Sequence, residues 1–206
     1  MSLNITDNVN CSTCNNEPAK TWKEPELSNY VTMKLHEQRI IPMYCDIYDE
    51  EAKFICSELQ IMSMENKEPI TIDMFCHGGS VFAGFAVFDE IMATRKKGIV
   101  VKIIVKGVAA SMGVVILQAA TERLAYEHSK IMVHEITQLS TTSKTASEVE
   151  ERALELKKLN IQLVQILSKR MKKTSKQILD LIKKTDVWFT PEEARANNLI
   201  DTIIKN

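Results

Sequence analysis

GIVVKIIVKGVAASMGVVILQAAT, residues 98–121, is the stretch on which the fold turns. Its first part, 98–107, is rich in Val and Ile and bounded by glycines, and reads as a β-strand. Its last part, 111–121, is largely apolar and reads as a buried helix. Between them, Gly107-Val-Ala-Ala-Ser111-Met-Gly113 consists of small residues around a serine. Such a segment allows a tight strand-to-helix turn that exposes the serine hydroxyl.

The same alternation runs outward in both directions. Upstream, PITIDMFC (69–76) is a short strand ended by Gly78-Gly79, and VFAGFAVFDEIMATRK (81–96) is a helix with an apolar face. Before these, RIIPMYC (39–45) is a strand in which Pro42 points to a sheet edge. Residues 49–66 form an amphipathic helix, with Ala52, Ile55, Leu59 and Met62 at helical spacing. Downstream, RLAYEH (123–128) and KIMVHEI (130–136) are two short strands, and LIDTIIKN closes the chain as another. Strands separated by helices of this length predict an α/β fold on a parallel sheet with right-handed crossovers.

Residues 145–171 break that rhythm. Ala146, Val149, Ala153, Leu156, Asn160, Leu163 and Leu167 follow steps of three and four, a heptad seam. Thr145 and Glu148 make a capping box at its start. Either the helix packs on its own domain, or it projects to pair with another subunit through a seam containing Asn160. A second helix is expected over 175–184, capped by Thr174 and Gln177. A third follows Thr190-Pro191-Glu192-Glu193, with Pro191 at the first helical position. Residues 1–34, rich in Asn, Thr, Ser and Glu, read as a flexible tail before a domain spanning 35–206.

Composition narrows the function. The 206 residues carry a formal net charge of −1, which argues against nucleic acid or a polybasic membrane surface as partner. No apolar run reaches the roughly 18–20 residues needed to cross a bilayer, and the first twenty residues lack the apolar core of a secretory signal. Five cysteines, an odd number, suit a reducing cytoplasm. Cys11 and Cys14 form a lone CxxC without the second ligand pair that zinc requires, so no metal site is expected.

Ser111 is either an N-cap or a nucleophile whose helix-start amides face incoming negative charge. Gly78-Gly79, between a strand and a helix, is either an ordinary turn or a place where backbone amides aim at an anion. With the Met112 amide, that of Gly79 would form an oxyanion hole. Four histidines compete as base: His36 before the domain, His77 beside the glycine pair, His128 in a turn, and His134 near a strand end, where site residues of open α/β sheets collect. Asp186, just before Trp188-Phe189, is expected to be partly buried and to want an imidazole N–H.

Taken together, four segments resemble the Clp protease proteolytic subunit (ClpP) and its phage-borne head-maturation relatives, from about residue 35 to the C-terminus. G-V-A-A-S-M-G is similar to that family's G-x-A-A-S-M-G. S-K-I-M-V-H-E is similar to S-R-x-M-x-H-Q, with the histidine on His134. T-D-V-W-F-T-P-E-E-A-x-x-x-x-L-I-D is similar to D-R-x-x-S/T-x-x-E-A-x-x-x-G-L-I-D, with the acid on Asp186. Gly78-Gly79, completed by Ala83-Gly84, matches S-P-G-G-x-x-x-A-G.

The resemblance implies a ClpP/crotonase-type superhelical stack of β-α turns, with the helix near 145–171 as a projecting handle between stacked heptameric rings. It implies a serine endopeptidase acting on polypeptides. Ser111 would be the nucleophile, His134 the base and Asp186 its orienter, with the amides of Gly79 and Met112, beside Gly78, as oxyanion hole. No cofactor is implied, and an AAA+ unfoldase would be a partner only where one docks. The chain departs from the pattern at His77, where the family has proline, and at Glu135-Ile136, where it has Gln-Pro. It departs again at 137–144, which replaces a glycine-rich stretch. Its tail does not resemble the axial-loop segment that meets an unfoldase, which leaves a phage-type or stand-alone peptidase open. Three rivals share the fold or the serine: an acyl-CoA enzyme of the crotonase type, a catalytically silent assembly subunit, and a Ser–Lys dyad using Lys130.

Overall fold

The computed structural model describes residues 24–137, 145–183 and 185–205. In chain order these form α1 (Glu24–Glu37), β1 (Ile40–Met43), α2 (Asp49–Glu65), β2 (Ile70–Cys76), α3 (Val81–Lys96), β3 (Val101–Ala110) and α4 (Met112–Leu117). Then follow β4 (Glu122–Tyr126), β5 (Lys130–Val133), α5 (Ala146–Met171), α6 (Ser175–Ile182), β6 (Val187–Phe189), α7 (Pro191–Ala196) and β7 (Thr202–Ile204).

The sheet has seven strands in the order β1-β2-β3-β4-β7, with β5 joined to β3 and β6 to β5. Every pairing is parallel except β5–β6. β1 lies at the edge, where Pro42 is tolerated because a proline has no N–H for a second neighbour. Ile41, Met43, Ile72, Met74, Ile103 and Val105 on the three adjacent strands are fully buried. Each such side chain contributes about 1.5–3 kcal/mol by leaving water.

β3 begins and ends three residues later than the sequence indicates and changes partner along its length. Lys102–Val105 pairs with Glu122–Ala125 of β4, and Val108–Ala110 pairs with Lys130–Met132 of β5. The strand therefore continues through Gly107, at φ +83°, where the pattern of glycines suggested an end. Its second half survives because β5 takes over the hydrogen bonds that β4 relinquishes. Conversely, α4 is shorter than the apolar run predicts. Arg170 donates to the carbonyls of Gln118 and Ala120, and Arg95 to that of Ala119, so these groups leave the helix.

The N-terminal boundary also differs from the sequence reading. Residues 24–37, expected as tail and linker, form α1. His36 ties it down, with Nδ1 2.7 Å from Glu58 and Nε2 3.3 Å from Glu65 on α2. Residues 1–23, including Cys11 and Cys14, lie outside the described residues.

The capping boxes at Thr145/Glu148, Thr174/Gln177 and Thr190/Glu193 are all made. In α5, Leu163, Val164, Leu167 and Met171 are buried against the domain, while Val149, Leu154 and Ile161 are exposed. The C-terminal half of the helix thus packs on its own domain, while the N-terminal half leaves apolar side chains exposed. Asn160 is not an unpaired seam residue, because its Oδ1 accepts the Ile136 N–H at 2.9 Å within the same chain. Among the described residues no helix is long and apolar enough to cross a membrane.

Candidate active site

The three candidate residues Ser111, His134 and Asp186 each stand one step beyond a strand end, and sheet register brings them together. β3 and β5 run in parallel with Ala110 opposite Met132, and the Ser111 amide donates to the Met132 carbonyl at 3.0 Å. β5 and β6 run antiparallel with Val133 opposite Val187. One further residue on each side sets His134 against Asp186. The Ser111 hydroxyl accordingly lies 2.7 Å from His134 Nε2, and His134 Nδ1 lies 3.4 Å from Asp186 Oδ1. The first contact is a full hydrogen bond, whereas the second is longer than the usual N–H···O range.

Ser111 does not act as a helix cap. It occupies the position before α4, yet its side chain makes no capping hydrogen bond, and its backbone has φ +53° and ψ −123°. A non-glycine residue rarely adopts such angles, and retaining them costs on the order of 1–3 kcal/mol. The conformation turns the hydroxyl toward His134 and away from the amides of its own helix. The N-cap alternative therefore fails on geometry.

The other histidines are engaged elsewhere. His77 is exposed, stacks edge-on against Phe75 at 5.2 Å and faces Asp46 rather than Ser111. His128 is 86% exposed in the turn before β5. His36 belongs to the α1–α2 contact. Lys130 opens β5 opposite Val108 and makes no hydrogen bond to Ser111, so the dyad alternative lacks its contact.

Asp186 corrects one expectation. Its side chain is 59% exposed rather than partly buried by its aromatic neighbours. Strand alternation explains this: Phe189 turns into the core while Trp188, one residue away, is itself 52% exposed.

Gly78 and Gly79 take φ values of +127° and +130° and approach their neighbours closely. A Cβ on Gly78 would sit 2.7 Å from Ser111 Cβ, and one on Gly79 only 2.2 Å from the Ile47 carbonyl oxygen. No other residue fits either place. Around this turn Ile47 N–H donates to Gly78 O, Ser80 N–H donates to Ile47 O, and Gly78 N–H points at Cys76 Sγ. Among the described residues the amides of Gly79 and Met112 are left without a partner. Both line a cavity of about 130 Å³ together with Val81, Ser111, His134 and Ile136. Gly79, Val81 and Ile136 also line a larger cavity of about 680 Å³ that reaches Leu156 and Leu159 of α5.

Sequence reasoning missed Asp46, which accepts the His77 N–H at 3.1 Å, and singled out Asn160 for a seam role rather than for its bond to Ile136. Asn160 stood out as the polar member of an apolar seam; Asp46 carried no signal. Cys76, beneath the glycine turn, is fully buried, and burial pushes its thiol up to about 12, so it remains neutral.

Comparison with known proteins accords with this geometry. The chain is 31% identical over 183 residues to the ATP-dependent Clp protease proteolytic subunit 2 of Cutibacterium acnes, covering 87% of this chain and 84% of that one. It is 32% identical over 179 residues to the ATP-dependent Clp protease proteolytic subunit 3 of Parasynechococcus marenigrum, covering 84% and 86%. A ClpP1 mutant from Listeria monocytogenes superposes with a TM-score of 0.75 at 25% identity, over 85% of this chain and 96% of the other. With the Clp protease family model matching residues 23–206, the α/β fold is of the ClpP type and the chain belongs to the Clp protease family.

Proposed function

We propose that this chain is a serine endopeptidase subunit that cleaves polypeptides through Ser111, His134 and Asp186. The observation that carries this reading is the Ser111 hydroxyl, which forgoes its cap, holds an uncommon backbone conformation and bonds His134 Nε2 at 2.7 Å. Proteolytic subunits among its relatives support the same chemistry.

In the reaction, Ser111 Oγ attacks the scissile carbonyl carbon as its proton passes to His134 Nε2. Asp186, facing Nδ1, favours the tautomer that leaves Nε2 free to accept and stabilises the imidazolium that results. The carbonyl oxygen becomes an oxyanion held by the amides of Gly79 and Met112, with Gly78 supplying the space. Each such donor is worth about 3–4 kcal/mol in the transition state. His134 then returns the proton to the departing amine. Water, deprotonated by the same imidazole, attacks the acyl-enzyme ester and regenerates Ser111.

The apolar wall formed by Val81, Phe82, Leu156 and Leu159 offers a place for a substrate side chain next to Ser111. The exposed N-terminal half of α5 supports assembly of identical subunits around an enclosed chamber, with stacked heptameric rings as the family arrangement. An AAA+ unfoldase enters only if one docks on the assembled ring. Cleavage of an unfolded polypeptide by the assembled wild-type protein, and its loss in Ser111→Ala with assembly preserved, is the test. Cleavage that survives the substitution would remove Ser111 from the mechanism.

A further inference from the structure

The glycine turn beside Ser111 is held by a hydrogen bond that the family's own motif does not allow. The matching segment of the family has proline before the glycine pair, and proline has no N–H. This chain has His77 there, and its N–H donates to Asp46 Oδ1 at 3.1 Å. The His77 ring leans the same way, with Nδ1 3.7 Å from the same oxygen. Asp46 directly precedes Ile47, whose N–H and carbonyl grip Gly78 O and Ser80 N–H, both at 2.7 Å. One short segment, Asp46-Ile47, thus fixes three consecutive points around Gly79: the His77 amide, the Gly78 carbonyl and the Ser80 amide. Among the described residues the amide of Gly79, which lines the small cavity with Ser111, has no such partner.

We infer that Asp46 is a positioning residue for the oxyanion-side amide of Gly79, acting through the His77 N–H and replacing by a charge-assisted hydrogen bond the stiffness that a proline gives through its ring. The inference rests on the proposed peptidase reading of Ser111. The same exchange recurs across the cleft. Ile136 also stands where the family pattern has proline, and its N–H is taken up by Asn160 Oδ1 at 2.9 Å. On both sides of Ser111, an amide that proline would lack is satisfied by a side-chain oxygen from another element.

Removing the acceptor leaves the donors of the oxyanion hole present but free to turn. Asp46 itself touches no reacting atom, so its loss affects kcat and leaves KM largely unchanged. Complete loss of a donor costs about 100- to 1000-fold in kcat, and misaiming one costs less. Asp46→Ala is therefore expected to lower kcat about tenfold, while Asp46→Asn, which keeps an oxygen at the same place, stays within about threefold of wild type. Proline is compatible at position 77, since Cys76 is already extended as the residue before proline requires. In a His77→Pro background the N–H is gone, and Asp46→Ala should then cost nothing further.

The experiment is a double-mutant cycle on the assembled protein: wild type, Asp46→Ala, His77→Pro and the pair. It is read by the rate of Ser111 modification with a fluorophosphonate, by kcat and KM on a peptide, and by amide exchange over residues 77–80. Asp46→Ala slowing modification about tenfold and speeding exchange, with neither effect in the proline background, establishes the role. An equal loss in both backgrounds, or no loss in either, overturns it. Should His77→Pro not fold, the contrast of Asp46→Asn with Asp46→Ala decides instead, equal losses overturning the inference. If wild-type Ser111 takes no adduct, the peptidase reading fails. Exchange over 77–80 unchanged by Asp46→Ala would separately refute the hold on the turn.

Discussion

His134 Nδ1 and Asp186 Oδ1 face each other at 3.4 Å, one residue beyond the antiparallel pair Val133 and Val187, and more than half of the Asp186 side chain is open to water. The Ser111–His134 contact is shorter, at 2.7 Å. The orienting contact is therefore the looser of the two, and it depends on the β5–β6 register. We predict that Asp186→Ala leaves the fold intact but lowers kcat by two to four orders of magnitude, as loss of tautomer control does in other triads. Steady-state peptide hydrolysis with circular dichroism as control measures this. Activity within tenfold of wild type would make Asp186 a bystander.

The choice among histidines is equally testable. His134→Ala removes the proton acceptor of Ser111 and should cost at least three orders of magnitude in kcat/KM. His128→Ala, in an 86% exposed side chain, should stay within twofold. An essential His128 would mean that the register of β5 against β3 is wrong.

Much of this architecture is legible in the sequence because it is local. The apolar run 98–121, the glycine pair and the three capping boxes announce themselves through periodicity and residue type. Gly107 misled because a positive φ usually ends a strand, whereas here a second partner strand, invisible locally, continues the ladder. Asp186 misled in the other direction, since adjacency to Trp188 says nothing about which side of a strand each residue faces. Asp46 could not be found at all. It stands thirty-one positions before His77 in the chain and is brought back to it through a parallel crossover.

His36 gives the α1 contact a pH dependence of definite sign. Its hydrogen bond to Glu58 raises its pKa; partial burial opposes this, and Glu65 adds to the increase. A folded value above the ordinary one, about 6.5, means that the stabilisation is full below that pH and is lost as pH rises through the folded value. Amide exchange in α1 should therefore accelerate, relative to α2, on going from about pH 6 to 9. In His36→Gln the α1-to-α2 ratio should be flat over the same range. A wild-type ratio that does not change would refute the coupling.

Leu154 and Ile161 lie seven residues apart on α5, each more than half exposed. If subunits pair through this helix, Leu154→Asp with Ile161→Asp should lower the assembly mass in sedimentation velocity while thermal stability changes little. An unchanged mass would show that this face is merely solvated.

The central claim is that Ser111 is an activated nucleophile, and the most direct test is fluorophosphonate labelling of the assembled protein, read by intact mass. The account predicts a single adduct per chain in the wild type, absent in Ser111→Ala and slowed by orders of magnitude in His134→Ala. A wild-type assembly that takes no adduct, or an adduct that persists in Ser111→Ala, would contradict it.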